Sequence, residues 1–136
     1  MPRDSGGGHR NALASLSEAL ANKARTKSLI ARTRTAIYEG LGAGTSDQEA
    51  VARRLGLSRR SLHRHLGEEG LRFSTLLDDC RYRIARHALV DTSHSLAQIA
   101  FELDYSDQTA FERAFKRKTG MTPKQYRQSY GRTPAR

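Results

Sequence analysis

Val51-Ala52-Arg53-Arg54-Leu55-Gly56-Leu57-Ser58 and Ile99-Ala100-Phe101-Glu102-Leu103-Asp104-Tyr105-Ser106 follow one pattern at an offset of 48 (99 against 51). Past the serines the offset becomes 49, where Leu62, Arg64 and Leu66 match Phe111, Arg113 and Phe115. One residue has therefore been added at the start of the second unit's last helix. Each unit has an apolar-periodic segment, a short turn ending in Ser, and a second apolar-periodic segment rich in basic residues. That order reads as a helix-turn-helix, a device that sets its second helix into the DNA major groove.

Working outward, local signals place the helix ends. Ser46-Asp47-Gln48-Glu49 has the spacing of a capping box, with the Ser46 hydroxyl on the Glu49 amide, and the helix it opens should run to about Leu55. Gly56 suits a left-handed turn. Ser58 is placed to cap the next helix, with Leu57 and Leu62 as a hydrophobic staple, and that helix should end near Gly70. In the second unit Ser95-Leu96-Ala97-Gln98 is another capping box. Asp104 stands where the first unit has Gly56, and Asp tolerates a left-handed backbone better than most residues. Ser106 or Asp107 caps the last helix of that unit, and Gly120 closes it. A closing helix follows, with Thr122 as cap, Pro123 in the first turn and Met121 stapled to Tyr126.

Between the units, Phe73, Leu76, Leu77, Cys80, Ile84 and Ala88 recur at helical spacing over 73–90. Eighteen residues make a rod of about 27 Å. Upstream, Leu29, Ile30, Ile37 and Leu41 mark a helix that Gly40, Gly42 and Gly44 end. Residues 11–27 carry a thin apolar face (Leu13, Leu16, Leu20), so a short helix and a linker both stay open there. Residues 1–10, with Gly6-Gly7-Gly8, read as a flexible tail. No strand-like alternation competes. The expected fold is all-α with about seven helices, in which two helix-turn-helix subdomains are joined by a long central helix. The divisions are 1–27 tail or linker, 28–72 first subdomain, 73–91 connecting helix, 92–130 second subdomain and 131–136 tail.

Composition bounds the partner. The chain has 136 residues, 24 Lys plus Arg against 14 Asp plus Glu, and a formal net charge of +10. Such a balance suits a polyanion, and double-stranded DNA fits the repeated motif; solubility alone or an acidic protein partner are the blander readings. Cys80 is the one cysteine, so no internal disulfide forms, and a reducing, cytoplasmic setting fits. No apolar run exceeds three residues, which excludes a membrane-spanning helix and a secretory signal core.

An enzyme is a poor fit. His63 and His65 are two apart and face different ways on a helix. His87 and His94 have no acidic or cysteine cluster beside them in sequence, Asp78 and Asp79 are adjacent, and Cys80 falls on the rod's apolar stripe. Gly6-Gly7-Gly8 lacks the lysine of a phosphate loop. No catalytic residue, metal site or cofactor is expected.

The exposed side of the first recognition helix should present Arg59, Arg60, His63 and Arg64. Arg fits the paired acceptors of guanine, and His can donate to a purine or to phosphate. In the second, Phe111 and Phe115 turn inward and leave Gln108, Thr109 and Arg113 outward; Gln suits adenine and the Thr methyl suits thymine. Base contacts are therefore expected from Arg60, His63, Arg64, Gln108, Thr109 and Arg113, with phosphate contact or plain solvation as the alternative for each Arg. Phosphates should be held by Arg59, Ser46, Ser58, Ser95, Ser106, Lys116, Arg117 and Lys124, with the helix N-termini at Ser46, Ser95 and Thr122 offering free amides. Lys118 belongs to the same basic cluster, which could equally be a soluble helix end.

The stretch Ala52 through Arg64, the rod with Arg81 and Ala85, and Ile99-Ala100, Asp107-Gln108-Thr109-Ala110-Phe111-Glu112-Arg113-Ala114-Phe115-Lys116-Arg117, Gly120, Pro123 and Tyr126-Arg127 together resemble the DNA-binding domain of AraC/XylS-type transcription regulators. The resemblance covers about 28–130 in one colinear block, and its second half is the more specific. It implies sequence-specific DNA binding, base reading from positions matching Arg60, His63, Arg64, Gln108, Thr109 and Arg113, and RNA polymerase beside the promoter as a protein partner. The family commonly has Gly where this chain has Asp104. The family's small-molecule-sensing domain is not visible, so the chain reads as a short member or as a fragment of a longer regulator. A DNA-targeting module of a transposase or repair protein is the rival.

Overall fold

A computed structural model describes residues 2–132, with side chains from 12 onward except at 26 and 27. The described residues form seven α-helices and no strand: α1 (Pro2–Gly40), α2 (Gln48–Arg54), α3 (Arg59–Glu68), α4 (Phe73–Asp91), α5 (Leu96–Glu102), α6 (Gln108–Thr119) and α7 (Pro123–Tyr130). Residue 1 and most of the expected C-terminal tail, 133–136, lie outside the described residues.

Over 11–27 the chain takes the helical one of the two alternatives, and over 2–10 it differs from the flexible tail expected. From Pro2 the backbone is one helix with the segment that follows. Ile37 and Ala36 are buried at its inner end, and Leu29, Ile30 and Leu41 pack beside them. Once that end is fixed by packing, extension avoids the cost of nucleation and adds one hydrogen bond per residue fixed, and the Ala-, Leu- and Glu-containing run from Ala12 extends it. Leu13, Leu16 and Leu20 remain 55%, 57% and 60% exposed, so this outer stretch is carried by propagation rather than burial.

Two apolar cores form. The first joins Ile37 of α1, Val51 and Ala52 of α2, Leu62 and Leu66 of α3, and Phe73, Leu76 and Cys80 of α4. The second joins Ala85, Ala88 and Leu89 of α4, Ile99 and Ala100 of α5, Leu103, and Phe111 and Phe115 of α6. The central helix thus gives its N-terminal half to one core and its C-terminal half to the other. At 19 residues it spans about 28 Å. The second core is the aromatic one: Phe115 meets Phe111, Tyr82 and Tyr126 at ring separations of 6.0, 5.9 and 5.2 Å.

The repeat holds bond for bond. Leu57 N–H donates to Ala52 O at 2.9 Å, and Tyr105 N–H to Ala100 O at 3.0 Å. Gly56 sits at φ +70° and Asp104 at φ +60°, so both turns pass through the same left-handed residue. Ser58 and Asp107 cap α3 and α6, each accepting from the amide three residues on. The inserted residue is therefore Ser106, which lies in the turn.

Two caps differ from the sequence reading. Asp47, not Ser46, caps α2 by accepting from Ala50 N–H at 2.8 Å. Ser46 is 4% exposed and donates its hydroxyl to Asp104 at 2.8 Å. At α5, Ser95 accepts from Gln98 N–H, but the Gln98 amide turns to Glu102 at 3.0 Å, so the box is half made. The full capping box is at α7, between Thr122 and Gln125.

Candidate nucleic-acid interface

The two recognition helices stand on their cores in the same way. Leu62 and Leu66 anchor α3, and Phe111 and Phe115 anchor α6, all 3% exposed or less. With those faces buried, the opposite faces must be solvated. On α3 this leaves Arg59, Arg60, His63 and Arg64 exposed; on α6 it leaves Gln108, Thr109 and Arg113. Arg60 and Arg64 are one turn apart with His63 between them, and Thr109 and Arg113 repeat that spacing. The Gln108 amide donates one N–H to Glu112 at 2.7 Å, and its second N–H and its carbonyl oxygen stay available.

The expected phosphate contacts divide. Ser58, Arg59, Ser95, Ser106, Lys116, Arg117 and Lys124 are exposed. Ser58 and Ser95 also satisfy their own helix amides, so their oxygens are partly engaged. Ser46 departs from the rest: buried and bonded to Asp104, its hydroxyl does not face solvent. Lys118 turns to the central helix, where it bonds Asp79 at 2.6 Å and lies 5.9 Å from the Tyr82 ring centre.

Two arginines act inside the scaffold. Arg81 Nε donates to Leu103 O at 2.9 Å and Nη2 to Asp104 O at 3.3 Å, with its guanidinium 4.2 Å from the Tyr105 ring centre. Burial raises the Tyr105 pKa, against the opposing pull of that guanidinium. Arg127 donates to Leu89 O and Ala88 O, both at 3.1 Å, and to Thr92 O at 3.3 Å. Those carbonyls end α4, where a cation is favoured by the helix dipole. Asp104 gathers the turn between the units: Oδ1 accepts from Gly42 N–H at 3.0 Å and Gly44 N–H at 3.2 Å, and Oδ2 from Ser46. In the sequence Asp104 is marked only as a turn residue. Its one clue was a carboxylate where glycine would have sufficed.

A family model described as a helix-turn-helix domain matches residues 51–129, which take in both units and the central helix. The ornithine utilization regulator of Pseudomonas aeruginosa is 42% identical over 83 residues, 61% of this chain and 24% of that protein. The C-terminal domain of AraT, a response regulator from Geobacillus stearothermophilus, superimposes with a TM-score of 0.69 at 29% identity, covering 79% of this chain and 90% of that one. The chain belongs to the AraC/XylS-type helix-turn-helix transcription regulators. A further structural neighbour is the DNA-binding domain of the global transcriptional factor AdpA, solved in complex with a target DNA. It gives a TM-score of 0.62 at 25% identity, over 74% of this chain and 91% of that one. The chain spans about a quarter of the length of the P. aeruginosa relative. Among the described residues no helix is long and apolar enough to cross a membrane.

Proposed function

We propose that this AraC-type domain regulates transcription by reading an asymmetric stretch of double-stranded DNA, with α3 and α6 entering successive major-groove segments on one side of the duplex. The observation that carries this reading is the pair of matched recognition helices, each capped, anchored by two buried apolar residues and presenting a solvated polar face, on a chain of charge +10. Arg60 and Arg64 are assigned to guanines, His63 to a purine acceptor, and Gln108, Thr109 and Arg113 to the second segment. Ser58, Arg59, Ser95, Ser106, Lys116, Arg117 and Lys124 are assigned to phosphates, which fix register without reading sequence.

RNA polymerase bound beside the site is the protein partner proposed, in keeping with the family's action on transcription, and the cytoplasm is the compartment. Selection of preferred sites from random DNA, followed by footprinting of the full chain, tests the reading. Two protected segments about one helical turn apart (roughly 34 Å) are expected. A single short patch, or no site that outcompetes bulk DNA, overturns it.

A further inference from the structure

We propose that Asp104 is a positioning residue that locks the two recognition units in one register and thereby sets the spacing between the two halves of the DNA site. This rests on the two-headed reading above.

The loop Gly40-Leu41-Gly42-Ala43-Gly44 leads from α1 to α2. Gly42 and Gly44 sit at φ +84° and +75°, a backbone that glycine adopts freely and that alone would make a hinge. Instead both their amides, and the Ser46 hydroxyl two residues beyond, converge on one carboxylate that belongs to the other unit. The loop lies against the second unit: a Cβ at Gly42 would meet Glu102 O at ordinary van der Waals contact, 3.4 Å. Leu41, between the glycines, packs against both cores.

The carboxylate is itself held. Arg81, from the central helix, donates to the carbonyls of Leu103 and Asp104, fixing the turn on which the Asp104 side chain is mounted. Three residues after Asp104, Asp107 caps α6; one residue after Ser46, Asp47 caps α2, which leads directly into α3. The clamp therefore ties together the loops that feed the two helix-turn-helix units. The turn does not require it. Gly56 makes the same turn in the first unit, at φ +70° and with the same backbone bond, without any side chain. What Asp104 adds beyond a glycine is the tie. The central helix fixes the length between the units, and the tie fixes the rotation of one against the other.

The test uses the full chain on a series of duplexes carrying the selected site with one or two base pairs inserted or removed between its halves. Each base pair moves the second half by about 3.4 Å and rotates it by about 35°. The wild type should lose about tenfold or more in affinity per step, the scale of a lost base contact. Asp104→Gly keeps the turn and removes the tie; its profile should flatten to within about threefold across the series. Asp104→Asn keeps an acceptor for both glycine amides and should retain the wild-type profile. Independently of DNA, hydrogen exchange at the Gly42 and Gly44 amides should speed up in Asp104→Gly and not in Asp104→Asn. If Asp104→Gly does not fold, the double variant Asp104→Asn/Ser46→Ala, which loses the Ser46 bond, takes its place and should show a partly flattened profile. A wild-type profile in the variant that folds, equal weakening at every spacing, or unchanged glycine exchange in Asp104→Gly overturns the proposal. A wild type indifferent to spacing instead overturns the two-headed reading, and the positioning role with it, while the exchange data still score the contact.

Discussion

Arg64 and Arg127 carry the same charge and have opposite settings. Arg64 is exposed on α3 with no hydrogen bond among the described residues, whereas the Arg127 guanidinium is held by three carbonyls at the end of α4. Replacing Arg64 by Ala should relax preference at one base pair and cost about 1–3 kcal/mol in binding, with the melting temperature unchanged. Competition titrations against single-base site variants measure it; equal loss on every sequence would make Arg64 a phosphate contact. Arg127→Leu should do the reverse, costing about 1.5–3 kcal/mol per well-made charged hydrogen bond in a urea titration and leaving sequence preference intact. Helical spacing makes the first arginine legible, because an exposed position next to buried leucines can be read from the chain. The second is not, since its partners are backbone carbonyls 35–39 residues away, and a carbonyl leaves no mark in a sequence. Cys80 was legible from its place on the apolar stripe: it is 1% exposed.

At the scale of elements, the helices were readable and some of their first residues were not. Ser46 and Asp47 are both good N-cap residues, as are Ser106 and Asp107, and propensity does not choose between neighbours. In the first pair the choice is tertiary: Asp104, 58 residues on, takes the Ser46 hydroxyl and leaves Asp47 to cap. The outer part of α1 was legible only as an open choice between helix and linker, because its face is thin and its order comes from the packed end. The central helix was plain, since its periodicity is serving two cores. Leu76, 1% exposed in the first core, tests that packing. Leu76→Ala should destabilise by about 2–5 kcal/mol through lost burial and a cavity, read as a shift of the urea midpoint. Gly40→Ala tests the close approach at the end of α1. A Cβ there would lie 2.2 Å from Thr45 O, a backbone atom, so the loop must move. The expected loss is about 1–3 kcal/mol, as for an overpacked site, and unaltered thermal melting would show that the loop yields freely.

For the whole molecule, protonation and charge act across both units. Burial first of all raises the pKa of Cys80 above its ordinary 9.0, and of Tyr38, Tyr105 and Tyr126 above 10.0. Each group holds its proton to higher pH when folded than when unfolded. Above the unfolded values the unfolded chain therefore binds fewer protons, and stability falls as pH rises. Urea midpoints should be flat with respect to these groups below about pH 8.5 and decline from there upward, with Cys80→Ala removing the earliest part of the decline. Binding should follow a different law, because it depends on counterions rather than on buried protons. The four cations assigned to phosphate, Arg59, Lys116, Arg117 and Lys124, predict a slope of about −3.6 in log affinity against log salt, at about −0.9 per contact. Substituting Lys124 by Ala should reduce that slope by about 0.9 and weaken all sequences alike. A full slope with altered base preference would move Lys124 from the phosphates to the bases. The same titrations, run at known protein concentration, should saturate at one chain per site, since α3 and α6 present different side chains and a single chain already supplies both.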